Sequence, residues 1–86
     1  MKKYIVIFTI PTTAQQMAMA SVEGRFAMMP KGEDGKFKDV VSWNTLPGAR
    51  KDFEAWLKTL NKEQQRTVMQ MRPQIVIVNA EISSAN

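Results

Sequence analysis

Two blocks of nearly continuous apolar sequence stand at opposite ends of the chain, and the hydrophobic period between them changes several times. Tyr4–Ile10 is β-branched and aromatic at odd and even positions alike, the pattern of a strand covered on both faces. Gln74–Ile82 reads as a second such strand. After Pro11, Thr12 or Thr13 suits a helix cap, and Ala14, Met17, Ala18 and Val22 recur at helical spacing. This spacing predicts a short amphipathic helix through about Val22. Gly24 interrupts it, and Arg25–Met29 then reads as a strand.

The cluster Pro30-Lys31-Gly32-Glu33-Asp34-Gly35 is dense in turn formers, and Asp34-Gly35 is a hairpin signal because both residues tolerate positive φ. The return strand is expected over Lys36–Trp43, with Phe37, Asp39, Val41 and Trp43 on one face. An alternative continues the first helix to Met29, since Phe26 and Met29 also fit its stripe. Pro47 suits the first turn of a second helix, whose apolar stripe is Ala49, Phe53, Trp56, Leu57 and Leu60. Glu54 and Lys58 form an i,i+4 pair away from that stripe. Asn61, with Gln64 three residues on, is placed to restart the helix as a capping box. The pattern runs to about Met71, and Pro73 closes it.

The expected order is therefore β-α-β-β-α-β, the ferredoxin-like plan. It belongs to the α+β class, a four-stranded antiparallel sheet with two helices on one face. One domain over residues 1–82 and a short polar tail over residues 83–86 are expected. The first strand is interior in this plan. The last lies beside it at one edge, and Ile75-Val76-Ile77-Val78 is too apolar for an exposed edge. Another copy of the chain or another protein is expected to cover it.

Composition narrows the chemistry. An 86-residue chain has room for one core, and pairing with a second copy is a natural way to bury more surface. There is no cysteine and no histidine, which excludes disulfides, thiolate sites and catalysis built on imidazole. No cofactor is implied. The basic start Met1-Lys2-Lys3 and the later Ala18-Met19-Ala20 resemble a secretory signal in outline, but Pro11 and the polar residues after it favour a strand. A cytoplasmic protein with no membrane span is the expectation.

The opening Lys2–Phe8 followed by Pro11, the loop Asp34-Gly35-Lys36-Phe37 and the strand-end-then-helix order of Ser42–Leu57 resemble YCII-related proteins of the dimeric α+β barrel superfamily. The resemblance implies a paired α+β fold. Lys36 stands where that family usually has proline, and its active-site histidine has no counterpart here. No catalytic residue is carried across.

Seven methionines are many for this length, and six lie in close pairs: Met17 and Met19, Met28 and Met29, Met69 and Met71. Within a helix Met17 and Met19 cannot both face inward, so one of them is expected at a contact surface. Met17, Met19, Met28, Trp43, Met69, Met71, Val76 and Val78 are the candidates for contact with a protein partner or a small apolar ligand. The formal charge of +4 leaves a nucleic-acid reading open, with Lys51, Lys58, Lys62 and Arg66 expected along one helix face. A base-stacking reading would need exposed aromatics on the central strands, with Tyr4 and Phe8 on one of them. Asp39, Glu23, Glu81, Tyr4 and the lysines are the residues an enzyme would have to use, Asp39 foremost, and no second group completes a mechanism. The reading that fits best is a small binding protein working as a homodimer, with a nucleic-acid factor or an atypical barrel-type enzyme as alternatives.

Overall fold

The computed structural model describes residues 2–79, which form a four-stranded antiparallel sheet and two helices. The elements in chain order are β1 (Lys2–Thr9), β2 (Gln16–Val22), β3 (Arg25–Pro30), α1 (Leu46–Lys58), α2 (Lys62–Gln70) and β4 (Gln74–Asn79). The strands lie in the order β3-β2-β1-β4. The α+β class holds, but the order is β-β-β-α-α-β rather than ferredoxin-like. The expected extension of the last strand to Ile82, and the tail after it, fall outside the described residues.

The expected first helix is a strand. Residues 16–22 alternate strictly: Met17 and Met19 pack against the helix side of the sheet, while Ala18 faces the other side with Ile5 and Ile7. Both faces are apolar, and that hides the period of two. β2 and β3 form a hairpin closed by Glu23 and Gly24, with Val22 paired to Arg25 across the turn. Both turn residues have positive φ, 52° and 79°, as a two-residue turn matched to strand twist requires.

The expected return strand over Lys36–Trp43 is also absent as a regular element. Gly35, at φ 78°, does make a tight turn, and the Gly32 N–H donates to the Lys36 carbonyl at 2.8 Å. Beyond it, Asp39 takes φ 56° and resets the alternation. Phe37 and Val40 then pack together on the Ile5–Ile7 face, and Trp43 lies on the opposite, helix-covered face.

Residues 39–43 enter the sheet where β1 and β2 diverge. The two strands pair only at Ile7–Ala18, Phe8–Met17 and Thr9–Gln16. Past that point the Ser21 N–H donates to the Asp39 carbonyl (3.0 Å) and the Val41 N–H to the Met19 carbonyl (3.0 Å). On the β1 side, Tyr4 and Trp43 exchange both backbone hydrogen bonds, at 2.8 and 2.9 Å.

These bonds fix which way every backbone group in the sheet points. Successive residues of a strand direct their N–H and C=O to opposite neighbours. Tyr4 points to Trp43, so Lys3, Ile5 and Ile7 point to β4 and bond there with Val78, Val76 and Gln74. The backbone groups of Ile75, Ile77 and Asn79 consequently face away from β1. By the same logic Ala18, Ala20 and Val22 bond to β3, and Phe26, Met28 and Pro30 face outward at the opposite edge.

Both helices cover one face. The Thr45 side chain caps α1 by accepting from the Gly48 N–H at 3.1 Å, and Pro47 sits in the first turn where no donor is needed. Phe53, Trp56 and Leu57 face the sheet, and the rings of Phe8, Phe53 and Trp56 meet at 6.1–6.3 Å between centroids. The chain leaves α1 at Thr59, and Asn61 begins α2 with a reciprocal capping box. The Gln64 N–H donates to Asn61 Oδ1 at 2.8 Å and the Asn61 N–H to Gln64 Oε1 at 3.1 Å. Val68 carries α2 into the core with Val6, Phe8 and Met19, which are fully buried. No helix among the described residues is long and apolar enough to cross a membrane.

Candidate functional site

The break between the helices leaves an opening over the β3 side of the sheet. Because α1 ends at Lys58 and α2 starts afresh at Lys62, the Trp56 and Leu60 side chains are not covered by a continuing turn. Together with Met28 from β3 and Val68 from α2 they floor a groove of about 440 Å³. Asn61, Glu63, Gln64 and Thr67, all exposed, form its rim. The floor is made of a thioether, an indole and two branched aliphatic side chains. That surface complements an apolar group and offers no cluster of ionisable side chains for chemistry.

The candidates from sequence are dispersed around the fold. Met28 is half-buried in the groove. Met17 and Met71 are half-buried at the margin of the helix-side core. Met19 is wholly inside that core, so it cannot present a contact surface, and the helical argument that one of the Met17–Met19 pair must face outward does not apply to a strand. Met69 is 53% exposed on α2. Trp43 stacks edge-on to Phe26 at 6.2 Å, and its Nε1 donates to Asp52 Oδ2 at 2.7 Å. That bond satisfies the indole and fixes its ring, so Trp43 is a packing residue. Val76 and Val78 are half-buried against Ile5 and Ile7. Trp56 and Leu60 were missed as site residues because each fits the apolar stripe of a helix. Their exposure to the groove depends on where the helix stops.

The basic residues do not form one helical stripe. Lys51 and Lys58 are exposed on α1, whereas Lys62 and Arg66 are exposed on α2 beyond the break. Phe8 is fully buried, which removes it as a base-stacking platform. Asp39 is exposed, with its carbonyl taken by Ser21, rather than buried on an aromatic strand face. Glu23 is in the hairpin turn and Tyr4 is half-buried in β1. Glu81 lies outside the described residues. Among the described residues no three acidic side chains gather as a metal site.

Comparison of the chain with protein-family models, with curated proteins and with solved structures finds no match.

Proposed function

We propose that this chain is a small binding module whose groove at the α1–α2 break receives an apolar side chain of a protein partner. The observation that carries the reading is the composition of the groove: Met28, Trp56, Leu60 and Val68 beneath, uncharged amides and a hydroxyl with one carboxylate around it. An apolar anchor seated in a pocket with a polar rim is how protein contacts concentrate their binding energy. Met28 can adjust its shape to the occupant, since its thioether chain has several rotatable bonds.

Methionine methyl NMR tests this directly, because the methionines sample core, groove and surface. Small mimics of apolar side chains (isoamyl alcohol, p-cresol and indole) serve as probes. The Met28 methyl signal is expected to shift on titration, while the buried Met19 and the exposed Met69 stay in place. Met28→Gln is expected to weaken the response several-fold. Equal shifts at Met69, or none at Met28, would overturn the groove as a binding site.

A further inference from the structure

β4 forms one margin of the sheet, and its outward backbone is free among the described residues. Its six residues, Gln-Ile-Val-Ile-Val-Asn, contain no charge and no proline, the usual means by which an edge strand is kept from pairing. The residue at its centre line, Ile77, is also the most exposed large apolar residue described, at 55%. Its neighbour across β1 is Tyr4, so Ile77 projects on the helix-covered side, beyond the cover of the helices.

We infer that β4 pairs with β4 of a second copy, antiparallel, with Ile77 opposite the partner's Ile77. The register follows from the direction of the backbone groups. Only Ile75, Ile77 and Asn79 present their N–H and C=O outward. Two identical antiparallel strands related by a twofold axis must oppose residues of the same parity. Centring the pair on Ile77 matches all three outward residues: Ile77 with Ile77, and Ile75 with Asn79 on each side of it. Centring it on Val76 instead would match only Ile75 with Ile77 and leave Asn79 opposite Pro73, which has no N–H to give. The axis then stands perpendicular to the sheet, giving eight continuous strands with all four helices on one face. The second copy is favoured over an unrelated peptide because the edge complements itself in hydrogen bonding and in apolar side chains, and carries no charge to direct another partner.

Two six-residue strands bury less than the roughly 800 Å² per partner of a standard interface, so the dimer is reversible and concentration-dependent. The proposal stands apart from the groove, since Ile77 does not line it. Sedimentation equilibrium of the full chain across a wide concentration range is expected to show a monomer–dimer equilibrium. Ile77→Lys, which sets two like charges face to face, is expected to raise the dissociation constant at least tenfold with an unchanged circular dichroism spectrum. Position-specific cross-linking fixes the register in this cysteine-free chain. Ile77→Cys is expected to oxidise to a disulfide dimer, because directly opposed residues lie about 5.5 Å apart at Cα, within disulfide reach. Val76→Cys and Val78→Cys are expected to remain monomeric on oxidation. A monomer at every concentration, a dimer indifferent to Ile77→Lys, or equal cross-linking at all three positions would each overturn the proposal. Loss of groove binding with the dimer intact would overturn only the groove reading.

Discussion

At one margin of the sheet β3 starts with Arg25, ends with Pro30 and is tied to its neighbour by a two-residue turn. At the other, β4 arrives from a helix and presents an uninterrupted neutral, mostly apolar strand. Pro30 stands at an outward-facing position, where a residue without an N–H removes a donor from the edge and breaks no bond to β2. Phe26 and Met28, the other outward positions of β3, send their side chains to Trp43 and to the groove beside α2. The β3 edge thus carries a charge and a proline, and the β4 edge carries neither. Equal membership of one sheet does not make two edge strands equivalent. What separates them is which residues occupy the outward-facing positions.

The largest effect that probes this difference is within β4 itself. Val76 bonds inward to Ile5, so Val76→Pro removes that bond and leaves the Ile5 carbonyl unmatched. A loss on the order of 3 kcal/mol is expected in urea unfolding at dilute concentration. Ile77→Pro, one residue on, is expected to cost less than about 1 kcal/mol under the same conditions, because its N–H has no partner among the described residues. Similar losses at the two positions would show that the inward and outward assignment is wrong.

A middle-sized effect is expected at the other edge. Gly24→Ala places a Cβ on a residue at φ 79°, and the cost is about 1–2 kcal/mol, with Gly24→Asn costing less. Hydrogen exchange at Arg25 and Ala27 is expected to accelerate with it, since those amides bond to β2. The smallest effect is at Pro30. Pro30→Ala is expected to change stability by no more than about 0.5 kcal/mol, while restoring an outward donor to β3. Its exchange rate should stay independent of protein concentration, whereas Ile75 and Ile77 gain protection as concentration rises.

Features set by local chemistry were legible in the sequence. Pro47, the stripe from Ala49 to Leu60 and the Asn61–Gln64 capping box predicted both helices, including the restart. The apolar run of β1 predicted an interior strand, and β4 was expected beside it at an edge. The misread helix shows where pattern fails. Residues 16–22 are apolar on both faces, and Ala14, Met17, Ala18 and Val22 satisfy a helical period by coincidence. Methionines two apart were the contrary signal, since only a strand sends both to the same side. The irregular path of residues 36–43 was not legible, because it depends on one left-handed residue, Asp39, and on a gap between strands that no local pattern encodes. The groove was only half visible. Met28 could be singled out by type, but Trp56 and Leu60 looked like ordinary core until the helix end was located.

The insertion of residues 39–43 gives the sheet an edge that is hidden in the closed molecule. Four backbone bonds hold the segment, through Tyr4 on one strand and through Met19 and Ser21 on the other. Local opening of this short stretch would withdraw Val40 and Trp43 from the two faces and open a slot, with unpaired strand backbone on both walls. Such a slot accepts only an extended chain, and the nearest one is the segment that has just left. The loop therefore acts as a tethered plug, held by its high local concentration, and amide exchange at Tyr4 and Ser21 should report how often it comes out.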